Sequence, residues 1–207
     1  PPFQFEYERN WWRDHGRAYN HICWLVNDAR KSMDDLLANG ATEVMPFEKF
    51  PTYDGFVAHD PEGHWVEIME YTDERFRVNE LTHQPSGECG LEMLGTALIC
   101  DDVDKMAEWY TRVMDMRVIK EYRNDKDTVI YLSDKYYAPK KRNSLFILQN
   151  ARTEAEVEHQ KEHGAYISHI VYSAHDIDRA FDDAKWAGFE VVSEPLMDEL
   201  TGAVTAN

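Results

Sequence analysis

One histidine and one glutamate, 46 positions apart, occupy the settings in this chain that best suit chemistry. His21 lies in a short apolar run at residues 20–26. Glu67 lies in residues 65–71, where period-2 alternation places it on one strand face with large apolar side chains. A carboxylate among such neighbours is expensive to bury unless it is paired or bound to a metal. If that face is buried, Glu67 therefore needs an ion-pair partner or a cation.

The stretch that contains His21 recurs twice further along the chain. Equivalent positions are 74 residues apart, at His21, Gly95 and His169. Each is followed seven residues later by an aspartate suited to cap a helix, and each aspartate precedes an apolar stripe with helical spacing: Asp28, Asp102 and Asp176. The spacing predicts an internal repeat of about one βαβββ unit. Because a single unit leaves one sheet face bare, the units must pair.

Repeated βαβββ units with a first-strand histidine, and a last-strand glutamate after the turn at residues 60–63 (DPEG), resemble the vicinal oxygen chelate superfamily. Members of that superfamily include glyoxalase I, extradiol ring-cleaving dioxygenases, epimerases and antibiotic-resistance proteins. The resemblance implies an α+β fold in which repeated βαβββ units pair into cupped, incomplete barrels. It also implies one divalent metal ion (Fe, Mn, Zn or Ni) inside a cup, with His21 and Glu67 as metal ligands. A further ligand must come from elsewhere, and the candidates are Gln4, Glu6, an upstream histidine or a second subunit.

The other two units lack a complete ligand pair. Gly95 replaces the histidine in unit 2, and aligning residues 143–150 (NSLFILQN) with residues 64–71 (HWVEIMEY) places Phe146 at the glutamate position. Glycine and phenylalanine offer no side-chain donor to a divalent cation. Unit 3 retains His169, but its glutamate position falls past the last residue. We therefore expect metal only in unit 1.

We expect two domains of this type. The first covers residues 1–71 and holds unit 1 with a largely missing N-terminal unit, of which a strand at residues 3–8 is the remainder. A linker follows at residues 72–90, and the second domain covers residues 91–207, with units 2 and 3. Residues 189–192 (FEVV) are the expected strand after the third helix. These incomplete units predict a chain trimmed at both ends of a four-unit protein.

The resemblance implies a divalent-metal-dependent enzyme that acts on a small oxygenated organic substrate by glyoxalase-like lyase or isomerase chemistry. The metal would act as a Lewis acid on two adjacent substrate oxygens. An extradiol-type dioxygenase with Fe(II) or Mn(II) is the first alternative, although Val57 and Glu48 stand where those enzymes have Tyr and His. A metal-free small-molecule binding or resistance module is the second. No catalytic acid or base can be assigned, and Tyr53 is only a candidate.

Composition narrows the partners and the compartment. The formal charge of −17 argues against binding of nucleic acid or anionic membranes. No apolar run reaches the roughly 18 residues that a membrane span needs. Three cysteines without a CxxC pair predict buried free thiols in a reducing cytoplasm: Cys23, Cys89 and Cys100. His15, His59 and His64 are expected on the surface. The sequence leaves open whether the protein forms a homo-oligomer.

Overall fold

The computed structural model of the chain describes residues 6–15, 19–73, 92–134 and 145–206. Its helices are α1 (Glu6–His15), α2 (Ala29–Ala38), α3 (Val103–Val113), α4 (Glu154–His163) and α5 (Ile177–Trp186). Its strands are β1 (Ile22–Leu25), β2 (Thr42–Lys49), β3 (Tyr53–His59), β4 (Trp65–Tyr71), β5 (Glu92–Ile99), β6 (Met116–Arg123), β7 (Thr128–Asp134), β8 (Leu145–Gln149), β9 (Tyr166–Ser173), β10 (Leu196–Met197) and β11 (Val204–Thr205). None of the helices in these ranges is long and apolar enough to cross a membrane.

Two sheets repeat one strand layout. The first sheet has the order β1-β4-β3-β2, with β1 parallel to β4. The second has the order β6-β7-β8-β5-β9, so β5, β8, β7 and β6 copy the first sheet, again with β5 parallel to β8. Strand β9 adds to the outer edge of β5 in the antiparallel direction. The predicted α+β fold of repeated βαβββ units is confirmed.

The three capping aspartates establish the register of the repeat. In each unit the aspartate adopts extended backbone dihedrals, and its side chain accepts the backbone N–H three residues later at 2.8–3.0 Å: Asp28, Asp102 and Asp176. These side chains satisfy one of the free N–H groups at the start of α2, α3 and α5. Residues with the same offset from their aspartate are therefore structurally equivalent among the units.

Two predicted strands do not form over the residues that the structure describes. Residues 6–8 belong to α1, so the predicted strand at 3–8 is wrong over that part, and residues 1–5 lie outside the described ranges. Residues 189–192 form no strand and are largely exposed. Six alternating residues do not distinguish a strand from a helix turn when no neighbouring strand pairs with them. The predicted linker at 72–90 lies almost wholly outside the described residues, and the two-domain division stays a prediction.

The main buried core joins the first sheet to the second. It contains side chains from the helix-facing side of both sheets, including Phe56 and Ile68 from the first and Leu98 and Leu148 from the second. Aromatic side chains also make contact across this boundary, since the ring centroids of Trp24 and Phe146 lie 5.3 Å apart in an edge-to-face arrangement. Units 1 and 2 therefore share one core through the backs of their sheets.

A fully buried polar cluster lies at this boundary, on the turn that precedes β4. Asp60 and His64 are 3% and 2% exposed, which overturns the expectation that His64 lies on the surface. His64 Nδ1 lies 2.8 Å from Asp60 Oδ2, and His64 Nε2 donates to the carbonyl of Ile99 at 2.9 Å. Tyr110 donates its hydroxyl to the same Asp60 oxygen at 2.8 Å. One carboxylate of the first sheet thus connects to a strand and a helix of the second.

Both members of this buried pair are charged. Burial opposes ionisation of Asp60, but hydrogen bonds from His64 and Tyr110 outweigh it and hold the pKa of Asp60 below its usual value. Burial likewise opposes protonation of His64, but the hydrogen bond to Asp60 and its charge raise the pKa of His64. The Ile99 carbonyl can only accept, so His64 Nε2 must carry a proton. The pair is therefore a buried ion pair with both imidazole nitrogens donating.

Two further contacts hold the units together beside the ion pair. The carboxylate of Glu62 accepts the backbone N–H groups of Asp101 and Asp102, each at 2.8 Å, just before α3. Trp109 Nε1 donates to the carbonyl of Asn39 at 2.8 Å, at the end of α2. The turn at 60–63 is thus an anchor between sheets as well as the approach to Glu67.

Candidate metal site

His21 and Glu67 meet on the face of the first sheet that points away from α2. His21 directly precedes β1, and the parallel pairing places Cys23 opposite Glu67 on β4. His21 Nε2 lies 3.0 Å from Glu67 Oε2, with the two side chains 28% and 16% exposed. Strand alternation explains the convergence, because Val66 and Ile68 enter the buried core while Glu67 between them faces the other side.

The arrangement of the two donors suits a divalent cation. His21 Nδ1 donates to Asn20 Oδ1 at 2.6 Å, which leaves Nε2 to face Glu67. A hydrogen bond of this kind orients a ligating imidazole and selects its tautomer. Two donors about 2.1 Å from one metal would lie about 3.0 Å from each other in an octahedral site and about 3.4 Å in a tetrahedral one. The observed N–O separation of 3.0 Å matches the octahedral value, and it is also the length of a direct hydrogen bond between the two side chains.

Apolar and sulfur-containing side chains surround the pair. Cys23 Sγ donates to Met69 Sδ at 2.9 Å, and Leu25 is half exposed on the same strand face. Val57 on β3 lies opposite Glu67 and is fully buried. The prediction of a buried thiol is wrong for Cys23, which is exposed, and right for Cys100. Cys89 lies outside the described residues.

A third ligand is missing from the part of the chain that the structure describes. No group of three His, Cys, Asp or Glu side chains there could hold a metal ion. Glu6, one predicted candidate, is exposed in α1, and Gln4 lies outside the described ranges. The outer edge of β1 has no strand partner in the described sheet, whereas its counterpart β5 is paired with β9 on that edge.

Unit 2 carries a different residue at the glutamate position from the one predicted. In the first sheet Cys23 pairs with Glu67; in the second its equivalent, Ala97, pairs with Ile147. The prediction of Phe146 is therefore wrong by one residue, and Phe146 instead faces the helix-side core. Isoleucine offers no donor either, so we still expect unit 2 to lack the ligand pair.

Gly95 stands where unit 1 has its histidine, and the fold leaves no room for a side chain there. A Cβ at this position would lie 2.1 Å from the carbonyl oxygen of Leu145 on the neighbouring strand. We expect Gly95→Ala to lower the free energy of unfolding by about 3 kcal/mol, because backbone atoms must separate to admit the methyl group.

The matched control for this prediction is Gly63→Ala. At Gly63 a Cβ would meet no atom within 4 Å, and only the positive φ of 100° is unfavourable. That change should cost about 1 kcal/mol. Chemical denaturation of both variants measures the difference, and equal costs would show that the space around residue 95 is not limiting.

His169, the unit 3 counterpart of His21, lies in β9 opposite Ala97. Its Nδ1 lies 2.9 Å from the hydroxyl of Ser168, and burial lowers its pKa. No described carboxylate forms an ion pair with it at the distance found for His21. That His169 is not a metal ligand stays a prediction.

The structure adds one residue that the sequence did not single out as functional. His59 ends β3 on the same face as Val57, and its ring lies 5.2 Å from that of Trp65. Its Nε2 is buried without a hydrogen-bond partner among the described residues. Burial lowers the pKa of His59, so the ring is neutral at pH 7. Its position next to a turn had favoured the surface, and only strand pairing reveals that it faces the side of Glu67.

Tyr53, the candidate acid or base, lies four residues before Val57 on β3. Four residues of strand span about 13 Å. The ring of Tyr53 stacks on Phe50 with centroids 4.5 Å apart. The ring also lies beside Gly55, where an added Cβ would meet it at 3.4 Å, so Tyr53 remains a candidate acid or base.

Comparisons with known proteins agree with this fold. A family model, the Glyoxalase/Bleomycin resistance protein/Dioxygenase superfamily, matches residues 93–206, which is more than half of the chain. The chain belongs to this superfamily, and the predicted resemblance is confirmed. Glyoxalase I of Saccharomyces cerevisiae is 25% identical over 132 residues, which cover 63% of this chain and 38% of the yeast protein.

A solved structure extends the likeness to nearly the whole chain. A triple mutant of 4-hydroxymandelate synthase from Streptomyces coelicolor superposes with a TM-score of 0.62 at 11% identity. The match covers 90% of this chain and 58% of that one. At this identity the likeness shows the fold alone. The chain thus spans well under two thirds of each of these relatives.

Proposed function

We propose that the chain is part of a divalent-metal-dependent enzyme acting on a small organic substrate with two adjacent oxygens, by lyase or isomerase chemistry. The observation that supports this most is the 3.0 Å approach of His21 Nε2 to Glu67 Oε2 on an accessible sheet face. Membership of a superfamily that contains glyoxalases agrees with it. His21 and Glu67 would hold the metal, and the metal would supply Lewis-acid stabilisation of an enediolate.

The remaining protein ligand would come from the first strand of another βαβββ unit, which would pair with the open edge of β1. Strand β9 pairs with β5 so that His169 lies opposite Ala97, the equivalent of Cys23. The same register on β1 would place a histidine opposite Cys23, next to Glu67. A first-strand histidine from another subunit would satisfy the requirement, but His169 would not, because β9 is already paired with β5.

His59 is the residue we assign to proton transfer. It is neutral at pH 7, and its free Nε2 faces the side of the sheet that carries Glu67. His59 and Glu67 are diagonally opposite on paired strands, and such residues lie about 7–8 Å apart, so His59 would be a near neighbour of a metal at Glu67. A neutral imidazole with a free nitrogen can accept a proton from a carbon next to a carbonyl group.

Metal analysis combined with a proton-exchange assay tests this function. The purified protein should contain Zn or Ni, at up to one ion per site. In deuterated water it should exchange the carbon-bound hydrogen of hydroxyacetone for deuterium, which NMR can monitor. His59→Gln should keep the metal and lose most of the exchange. Iron together with oxygen uptake on catechol would instead support the ring-cleaving dioxygenase. A protein that binds no divalent metal would support the binding module.

A further inference from the structure

The second sheet has its own apolar face, opposite the face that packs in the shared core. Its floor consists of three buried side chains, Ala97, Val129 and Ile147. Partly buried side chains pack against this floor: Tyr122, Tyr131, Leu145, Val171 and Leu200. We refer to these eight residues as the apolar cup.

Leu200 reaches the cup from a distant part of the chain. It lies at the tip of the hairpin formed by β10 and β11, which pair with each other over two residue pairs only. Asp198 shapes the tip, because its Oδ1 accepts the backbone N–H groups of Leu200 at 3.0 Å and Thr201 at 2.8 Å. The tip therefore places an isobutyl group on an apolar floor.

The same tip brings the carboxylate of Asp198 to the guanidinium of Arg152 at the edge of the cup. Arg152 Nη1 donates to Asp198 Oδ2 at 2.7 Å. Arg152 Nε is buried and has no hydrogen-bond partner among the described residues. A guanidinium can bind a carboxylate through two parallel hydrogen bonds, whereas Asp198 accepts one hydrogen bond from Arg152, through Nη1.

A cavity adjoins the apolar cup. A cavity of about 220 Å³ is lined by Ile119, Lys120, Tyr122, Tyr131 and Leu145, and the last three belong to the apolar cup. Lys120 Nζ lies 4.5 Å from the centroid of the Tyr122 ring, which adds a second cation at the margin. An aromatic and aliphatic wall with cations at its edge suits a ligand that is apolar with one anionic end.

We propose that the apolar cup binds a small organic carboxylate with an apolar body, and that the hairpin tip occupies the site when this ligand is absent. Leu200 stands in for the apolar body and Asp198 for the carboxylate. The ligand would displace both, pair with Arg152 and extend into the cavity. This site requires no metal and is independent of the function proposed for His21 and Glu67.

The hairpin is suited to such an exchange. Outside its tip it exposes apolar side chains to solvent, with Leu196 71% and Met197 61% exposed. A segment with little buried apolar area opens locally at a low free-energy cost. Because the tip competes for the site, ligand affinity falls in proportion to the fraction of molecules in which the site is free.

Weakening the tip should therefore strengthen binding. We expect Asp198→Asn combined with Leu200→Ala to bind 4-phenylbutyrate about tenfold more tightly than the wild type in NMR titrations with EDTA present. Arg152→Gln should remove the preference for 4-phenylbutyrate over the uncharged 4-phenylbutan-1-ol. Leu196→Ala, in the same hairpin but exposed, is the matched control and should leave the affinity unchanged.

Two results would overturn the proposal. One is an unchanged affinity in a double variant whose circular dichroism and melting temperature equal those of the wild type. The other is an equal gain in Leu196→Ala, which would indicate unspecific binding to exposed apolar surface. If the double variant does not fold, the single variant Asp198→Asn provides the test, because an asparagine oxygen still accepts the turn N–H groups. This variant should bind 4-phenylbutyrate about threefold more tightly than the wild type. An unchanged affinity would refute the proposal.

Discussion

His21→Ala should abolish metal binding and catalytic turnover while leaving the fold intact. The variant removes one of two protein donors that approach each other at 3.0 Å, so we expect metal affinity to fall at least about 100-fold. The side chain is partly exposed and lies outside the buried core, so the free energy of unfolding should change by about 1 kcal/mol or less. Metal content after dialysis, turnover and chemical denaturation measure the three quantities.

His169→Ala is the matched control, because it removes the equivalent histidine of unit 3. That variant should retain the metal and the activity, since no described carboxylate pairs with His169 as Glu67 does with His21. Retention of metal and turnover in His21→Ala would refute the metal site. It would leave the fold and the superfamily membership unaffected, because both rest on other residues.

Asp60→Asn should destabilise the protein by about 3–5 kcal/mol, because it leaves the buried cation of His64 without its counter-charge. The asparagine oxygen can still accept the backbone N–H groups of the turn, but its NH2 group cannot accept from His64 or Tyr110, so the variant removes the charge together with these two hydrogen bonds. An effect of this size is a large part of the 5–15 kcal/mol by which domains are usually stable. Urea denaturation at pH 6 provides the measurement.

The exposed Asp101→Asn serves as the control and should cost less than about 0.5 kcal/mol. Its side chain accepts one hydrogen bond from Gln160, which an asparagine oxygen can still accept. A cost below about 1 kcal/mol for Asp60→Asn would show that His64 does not depend on Asp60 for its charge.

The same pair makes stability depend on pH in a defined window. The pKa of His64 is raised in the folded state, so its contribution is complete below the unfolded pKa of about 6.5 and is lost as the pH rises through the folded value. The pKa of Asp60 is lowered, so its contribution is present above about pH 4 and is lost as the pH falls through the folded value. The difference in stability between the wild type and Asp60→Asn should therefore be largest between about pH 4 and 6.5.

Local signals in the sequence were sufficient for the repeat and for the pairing of His21 with Glu67. Each unit contains its own capping aspartate and its own apolar helical stripe, and the equal spacing of these features shows which residues of the units are equivalent. On β4, Glu67 lies between the apolar residues Val66 and Ile68, so the period of two assigned its face correctly. The equivalent assignment failed on β8, where residues 145–148 (LFIL) are apolar throughout. A strand buried on both faces has no alternation, and a shift of one residue then exchanges its faces.

The buried ion pair was not predictable for a different reason. Asp60 and His64 belong to a turn, and turns usually lie on the surface. Their burial results from contact with Ile99 and Tyr110, which are 35 and 46 residues further along the chain than His64. No pattern within the turn reports that the second sheet covers it. His59 escaped notice for the same reason, because its unpartnered nitrogen results from strand pairing rather than from sequence context.

The close approach at Gly95 limits how this repeat can diversify. Strands β5 and β8 are packed so closely that any side chain at position 95 meets the Leu145 backbone, and the glutamate position holds Ile147 within an apolar cluster. A metal-binding pair in unit 2 would require both residues to change along with the spacing of the two strands. Each single step on that mutational path lowers stability before any ligand site exists. A metal-binding pair in unit 2 would therefore need several coupled changes rather than single substitutions made one at a time.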